Sequence, residues 1–237
     1  MHQKMLTSIR TPQQLPLQTF VMLPSEWRRI LLVPGGEGMT TIAAAAAVLQ
    51  QEFGAEGMKL QKILYYAQAA ALVQRGLPLF SEEFQAWRHG PVNRDIWDGQ
   101  VMPAPLPAAD VELLRATWAK YGHLTAYELS DLSHEDAPWK DTRGDLPAGA
   151  NCDRIISQEA MQAFYLGREL AKGPDGKWVH VPPTAAQWAR AKAQLVIHRQ
   201  ARQGTLRGVD RRTFIDQQVI ATQRLEGLAV SLPGMHG

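Results

Sequence analysis

Thr222, Glu226 and Gly227, near the C-terminal end of the sequence, are the residues whose types and spacing best suit a chemical role. Residues four apart lie on one face of a helix, so Thr222 and Glu226 would project together. A carboxylate accepts a bidentate hydrogen bond from an arginine. Glycine ends a helix and lets another backbone approach closely. The spacing predicts a hydroxyl and a carboxylate on one face at the end of a helix, and a solvated amphipathic helix with no special role is the alternative.

Two histidines are the candidates for acid–base chemistry. His89 follows the Glu82–Glu83 pair and would be a general base if the protein were an enzyme. No nucleophile and no zinc-type spacing of cysteine and histidine accompanies His89 or His134. We therefore favour partly buried, hydrogen-bonded histidines, a plain thiol at Cys152, and no catalytic, metal or cofactor site.

Residues 58–92 are the stretch that must position such groups. Apolar residues at 60, 63, 64, 67 and 71 follow the rhythm of one helix face, and Gly76 is a natural stop. The sequence then predicts a loop at Pro78, a short extended piece and a turn at Gly90–Pro91.

N-caps at Thr40 and Asp110, capping boxes that begin at Thr125 and Thr184, and a stop at Gly54 predict further helices. They run from Thr40 to about Phe53, from Asp110 to Tyr121, from Thr125 through His134, from Ser157 to Gly173, from Thr184 to about Gly204, and from about Asp210 to Glu226. Residues 178–181 are a short strand or a linker. In the Thr184 helix the predicted buried stripe is Trp188, Ala191, Leu195 and Val196. The fold class is therefore mainly α with short extended segments.

Composition indicates a globular protein. The chain has 237 residues, of which 45% are hydrophobic and 20% charged. A single cysteine fits a reducing compartment, so we predict a cytoplasmic protein. The longest apolar run, Ile42 to Leu49, falls far short of the roughly 20 residues that cross a membrane. No membrane span is predicted.

Net charge differs between the C-terminal segment and the rest of the chain. Residues 184–237 carry eight Lys and Arg against three Asp and Glu, a net charge of +5, which leaves −3 for residues 1–183. We predict four parts: residues 1–38, a domain over 39–172, a linker over 173–183, and a basic helical module over 184–237.

Residues 1–38 show no sustained hydrophobic period and are expected to be poorly ordered. They are either a targeting peptide or translated sequence upstream of a natural start at Met39.

Several motifs carry a family resemblance. Residues 59–68 (KLQKILYYAQ), 78–80 (PLF) and 86–92 (AWRHGPV) resemble the Panacea domain of SocA- and GepA-like, phage-associated antitoxins. In that family KLQKLLYYAQ precedes PLF and AWxxGPV. Residues 129–139 (LSDLSHEDAPW) resemble its LSxLTHxxxPW motif. The resemblance covers roughly residues 40–170 and implies a mostly helical, non-enzymatic domain that neutralises a toxin by direct contact.

Within these motifs, aromatic side chains and histidines are the candidate partner-contact residues, because aromatic anchors dominate interface energetics. They are Tyr65, Tyr66, Trp87, His89, His134 and Trp139. Packing in the core is the alternative for each aromatic residue.

A second resemblance lies at the C-terminus. Residues 221–228 (ATQRLEGL) are similar to the ASQRLEGL helix of VbhA-type antitoxins, which carry the inhibitory pattern Ser/Thr-x-x-x-Glu-Gly/Asn. It implies that Glu226 pairs with the nucleotide-site arginine of a Fic adenylyltransferase and displaces the ATP γ-phosphate, with Thr222, Arg224 and Gly227 completing the motif.

These resemblances predict an antitoxin whose partner is a cognate protein toxin, of Fic type in the first hypothesis. In the second, the Panacea domain neutralises an unrelated toxin and the basic tail binds operator DNA. A phosphate backbone would then be contacted by Arg190, Arg199, Arg202, Arg207, Arg211 and Arg212. Gly204 and Gly208 interrupt the place where a recognition helix would lie. The identity of the toxin, the stoichiometry and DNA binding stay open.

Overall fold

The computed structural model describes residues 40–147 and 149–202 of the chain, including eight α-helices and five short strands. The prediction of a mainly α fold with short extended segments is confirmed. The helices are α1 (Ile42–Phe53), α2 (Gly57–Arg75), α3 (Arg94–Trp97), α4 (Ala108–Tyr121), α5 (Ala126–Glu135), α6 (Ala137–Arg143), α7 (Gln158–Tyr165) and α8 (Ala185–Arg202). The strands are β1 (Phe84–Trp87), β2 (Gly90–Val92), β3 (Ile155–Ile156), β4 (Glu169–Lys172) and β5 (Trp178–Val181).

Local capping chemistry sets most helix ends. Gly54 and Gly76 take left-handed conformations, with φ of 64° and 68°, and end α1 and α2 as predicted. The predicted capping box at Thr125 is confirmed, because Thr125 and Glu128 satisfy each other's free backbone N–H groups.

Two predicted caps are wrong. Thr41, rather than Thr40, accepts a hydrogen bond from Ala44 N and caps α1. Asp110 lies in the first turn of α4, which begins after Pro107. The Asp110 carboxylate instead accepts hydrogen bonds from Thr40 Oγ1 and from the Arg75 guanidinium. These contacts tie the starts of α1 and α4 to the end of α2.

Helix α2 is the centre of the molecule. It contacts α1, α4, α5, α7, α8 and β2, and every residue from Leu60 to Ala69 is buried. The prediction of one buried face is therefore too narrow, because neighbouring elements cover this helix all round.

Strands β1, β2 and β3 form an antiparallel sheet in the order β2–β1–β3. Trp87 pairs with Gly90, so the chain turns at Arg88–His89 rather than at the predicted Gly90–Pro91. Gly90 has a φ of 90°, and a Cβ atom there would lie 2.4 Å from Ser133 Oγ. Glycine is thus required both by the backbone conformation and by the close approach of α5.

Strands β4 and β5 form a second, antiparallel hairpin. The predicted helix from Ser157 to Gly173 is wrong beyond Tyr165, because Gly167 takes a φ of 74° and residues 169–172 extend to pair with residues 178–181. The strand alternative for residues 178–181 is confirmed. This hairpin spans residues on both sides of the predicted boundary at 172–173, and the partition into domains stays a prediction.

Helix α8 begins with the predicted capping box, in which Gln187 N donates to Thr184 Oγ1 and Thr184 N donates to Gln187 Oε1. Its predicted buried stripe is wrong: Trp188 and Val196 are exposed, and Ala191 and Leu195 are half-buried. Ala189, Ala193 and Ile197 are buried instead, at a spacing of four residues, where α8 packs against α2. The two alanines allow this close approach.

A buried polar cluster fastens the second hairpin to the core. His180 Nδ1 lies 2.9 Å from Asp136 Oδ1, and His180 Nε2 lies 2.9 Å from Tyr121 OH. Tyr165 OH donates to Asp136 Oδ2 at 2.8 Å, and burial raises the pKa of the Tyr165 and Tyr121 hydroxyls, which keeps both protonated. A neutral imidazole satisfies both of its contacts when Nδ1 donates and Nε2 accepts.

Replacing His180 by Phe is expected to lower the free energy of unfolding by about 2–4 kcal/mol, because a buried carboxylate and a buried hydroxyl each lose a partner. Urea denaturation measures this loss, and hydrogen exchange should show faster opening of β4 and β5 than of α2. The control is His123→Phe, at an exposed histidine beside Trp178, which should change stability by less than about 0.5 kcal/mol. Equal stability of the two variants would contradict the fastening role of His180.

Candidate functional site

The segments AWRHGPV and LSDLSHEDAPW meet at the β1–β2 hairpin. Trp139 Nε1 donates to the carbonyl oxygen of Trp87 at 2.8 Å, and Ser130 Oγ donates to that of His89 at 3.1 Å. Arg143, which is buried, donates from Nη1 to the carbonyl oxygen of Ala86 at 2.9 Å. Helices α5 and α6 thus hold the hairpin by its backbone, so these motif residues position it.

Helix α2 holds the other side of the hairpin. Lys62 Nζ donates to the carbonyl oxygen of Pro91 at 3.0 Å. Gln61 Nε2 donates to the carbonyl oxygen of Asn93 at 3.0 Å, and Asn93 N donates back to Gln61 Oε1 at 2.9 Å. These side chains satisfy backbone groups along the outer edge of β2, where a further strand would otherwise pair.

Three of the predicted contact residues are core residues. Tyr65 and Tyr66 are 0% and 1% exposed, and Trp139 is 9% exposed. The rings of Tyr66 and Tyr121 stack at 4.3 Å, and Tyr65 packs edge-on against Phe84. A fully buried ring cannot touch a partner without rearrangement of the core, so the core-packing alternative describes these residues.

Trp87 and His89 are placed differently, beside a cavity of about 770 Å³ next to the first hairpin. We call this cavity the hairpin groove. It is lined by Met58, Gln61, Lys62, Gln85, Trp87, Arg88, His89, Val92, Arg94, Trp97, Asn151, Cys152 and Asp153. His134 lies outside this lining, and its ring stacks on that of Trp139 at 4.2 Å. Two of the six predicted contact residues therefore line the groove.

One wall of the hairpin groove is aromatic. Trp97 is 62% exposed, and its ring meets that of Trp87 edge-on with centroids 5.2 Å apart. The Arg94 guanidinium lies 5.8 Å from the centre of the Trp87 ring. Tryptophan and arginine are enriched among the residues that dominate protein interfaces. The wall therefore has the composition of a contact surface.

The floor of the hairpin groove contains a buried amine. The Lys62 side chain is fully buried, and burial lowers its pKa to about 7. Within residues 40–147 and 149–202, no carboxylate forms an ion pair with Lys62. Burial and the nearby Lys62 amine lower the pKa of His134, whose Nε2 atom has no hydrogen-bond partner in the same ranges. Charging a buried amine that has no carboxylate beside it is costly, so an incoming negative charge would be favourable at this site.

Sequence reasoning missed Lys62 and Trp97 as lining residues. Lysine in a helix is expected to point to water, and Trp97 lay outside the motifs that carried the family resemblance. A usable signal was present for Lys62, since it stands in a helix whose neighbouring positions are apolar on several sides.

Other predicted features have the following placement. Thr222, Arg224, Glu226 and Gly227 lie outside the described residues. In the described part of the chain, no group of three or more His, Cys, Asp or Glu side chains is arranged to hold a metal ion. No helix in that part is both long enough and apolar enough to cross a membrane. Cys152 is a buried free thiol.

Part of the chain is similar to a known protein family. Residues 60–140 match the family model described as "Antitoxin SocA-like, Panacea domain". This range contains the first hairpin, most of α2 and all of α5, and both of these helices hold the hairpin. No curated protein and no solved structure matches the chain. The Panacea resemblance is confirmed over residues 60–140, and the match does not include residues 221–228.

Replacing Lys62 by Met tests the buried amine. Because the pKa of Lys62 is about 7 when folded and near 10.5 when unfolded, the unfolded chain binds more protons between those values. The destabilising contribution of Lys62 is therefore fully present below pH 7 and disappears as the pH approaches 10.5. The stability advantage of Lys62→Met should fall by up to about 1.4 kcal/mol per pH unit in this window.

Urea denaturation between pH 6 and pH 10 measures this difference. Lys59→Met is the matched control, because Lys59 lies on the same helix but is only half-buried and donates to the carbonyl oxygen of Gly122. If the difference in stability between Lys62→Met and the parent protein stayed constant across this range, Lys62 would not be a buried amine without a carboxylate partner.

Proposed function

We propose that the protein is an antitoxin that neutralises a protein toxin by direct binding. The observation that carries the proposal is the family match over residues 60–140, since the matched family is one of antitoxins. The matched range includes the first hairpin and most of its supports, and the hairpin lies beside an accessible surface rich in tryptophan and arginine. Direct protein contact is the activity that such a surface supports.

The proposed role is non-enzymatic. The family suggests a regulator rather than a catalyst. His89 is exposed, whereas His134 stacks on Trp139, and no nucleophile is hydrogen-bonded to either ring in the described residues. An enzyme that used His89 or His134 would need such an arrangement. Catalysis by the isolated protein would overturn this part of the proposal.

A Fic-type adenylyltransferase is the toxin we propose first. The support is the resemblance of residues 221–228 to the inhibitory helix of VbhA-type antitoxins. In this proposal Glu226 pairs with the nucleotide-site arginine, Thr222 and Arg224 complete the motif, and Gly227 permits close approach. The bidentate geometry of an arginine–carboxylate pair makes the interaction specific.

The second candidate is an antitoxin against an unrelated toxin, with the basic C-terminal segment binding operator DNA. The observation that favours it is the exposure of Arg190, Lys192 and Arg199 on α8. Exposed basic side chains along one helix suit a phosphate backbone. Under this hypothesis, fluorescence anisotropy with the promoter DNA should show affinity that falls steeply with salt concentration and that is lost when the three side chains become Gln.

The antitoxin proposal is tested in two steps. Stoichiometric partners are first isolated from the source cell by affinity capture and identified by mass spectrometry. Each captured protein is then expressed alone and together with this chain, and growth is measured. A captured protein that arrests growth alone, and that no longer does so when this chain is present, is the expected result. Growth arrest that persists in the presence of this chain would overturn the proposal. A toxin without a Fic domain would overturn only its Fic-specific part.

For a Fic-type partner, Glu226→Gln is expected to weaken inhibition of adenylyl transfer by about 30- to 1,000-fold, since breaking a buried charge pair costs about 2–4 kcal/mol. Binding through the rest of the chain should persist. The control is Glu159→Gln, at an exposed carboxylate in α7, which should leave inhibition unchanged. Full inhibition by Glu226→Gln would contradict the inhibitory role of the carboxylate.

A further inference from the structure

The hairpin groove combines a positive charge balance with an apolar wall. Its lining includes Lys62, Arg88 and Arg94, against the single carboxylate of Asp153. Arg94 also pairs with Asp98, but both side chains are exposed, so solvent screens that pair. Lys62 lies under the groove floor, and when its amine is protonated the low local dielectric makes that charge act strongly on whatever occupies the groove. A negative ligand group is the complementary charge.

The apolar wall selects a second property of the ligand. Trp87 and Trp97 present adjoining ring surfaces, and Met58 lines the same groove. A flat aromatic or aliphatic side chain would bury the exposed face of Trp97 against this wall. The volume of about 770 Å³ exceeds the space needed by one side chain and fits a short peptide segment.

We propose that the hairpin groove binds a short acidic segment of the partner protein, in which a carboxylate side chain lies beside an aromatic or aliphatic residue. The apolar residue packs on Trp97, and the carboxylate takes the position above Lys62 and beside Arg88. This inference rests on the proposed function as a protein-binding antitoxin, and it defines the part of the partner that is recognised.

Other groups near Lys62 bear on the pH dependence of binding. His89 and Arg88 lie on the first hairpin, His134 and Asp131 on α5, Arg143 on α6, and Arg94 on α3. A bound carboxylate favours the charged form of Lys62, whose pKa in the unoccupied protein is about 7. Complex formation at pH 8 should therefore take up a proton, to a maximum of about one per complex from this group.

Selection of phage-displayed random peptides on the immobilised full chain tests the proposal independently of any toxin. The expected consensus has Asp or Glu next to an aromatic or aliphatic residue. Trp97→Ala, at an exposed position, and Lys62→Met, of similar shape, should each weaken binding of the consensus peptide by about 10-fold or more. Thermal melting establishes that both variants are folded.

Three results of the selection would overturn the proposal. They are a lack of enrichment, a consensus without an acidic residue, and an acidic consensus whose binding survives in Lys62→Met. Calorimetry of the selected peptide in buffers of different ionisation enthalpy provides the second measurement. Proton uptake at pH 8 should persist in His89→Gln and disappear in Lys62→Met, and uptake that remains in Lys62→Met would also overturn the proposal.

Failure of the groove proposal and failure of the antitoxin proposal give different results. Growth rescue that is unaffected by Lys62→Met and Trp97→Ala, together with a failed peptide selection, would eliminate the groove while leaving the antitoxin function intact. A peptide consensus without growth rescue would leave the groove as a binding site of a protein that is not an antitoxin.

Discussion

A helix that is buried on every side loses the water that would otherwise bind its polar side chains, and in α2 two glutamines and a lysine bind the backbone of neighbouring segments instead. Gln68 donates from Nε2 to the carbonyl oxygen of Phe80 and accepts from Leu79 N. Gln61 makes the same pair of bonds with Asn93, and Lys62 donates to the carbonyl oxygen of Pro91. Unsatisfied polar groups in such a position would cost several kcal/mol each.

These bonds decide where irregular and extended segments can lie. A glutamine side chain has both a donor and an acceptor. It can therefore form hydrogen bonds with the C=O and N–H groups of a backbone segment, as a neighbouring strand would. Gln61 and Gln68 therefore fix two segments that have little regular structure of their own. The hairpin groove follows from this arrangement, since the segment fixed by Gln61 leads directly into α3, which presents Trp97 to solvent.

Much of the fold could be predicted from the sequence because many helix ends depend on local chemistry. Gly54, Gly76 and the Thr125–Glu128 pair act within one helical turn and were identified correctly. The error beyond Tyr165 has a different origin, because residues 169–172 have apolar spacing that also suits a helix. Pairing with β5 decides their conformation, and single-segment periodicity does not contain that information.

Periodicity within one segment was equally unable to predict which residues are buried and which line the candidate site. The helical spacing of apolar residues in α8 predicted that Trp188 and Val196 are buried. Contact with α2 instead buries the smaller side chains of Ala189 and Ala193. Trp87 and His89 were identified because they belong to recognisable motifs. Lys62 was not, because its burial depends on α5 and the first hairpin closing over it. Likewise, Asp136 and His180 are 44 residues apart, and no local pattern joins them.

The hairpin of β4 and β5 has a consequence for how this chain can exchange parts with other proteins. A recombination junction at residues 172–173, the predicted end of the domain, would separate the two strands and remove the imidazole that contacts Asp136. A new C-terminal segment joined there would have to supply a replacement for strand β5 and for the imidazole of His180. Junctions beyond Val181 retain the hairpin, so an exchange that keeps both strands must be made at the end of the predicted linker or later.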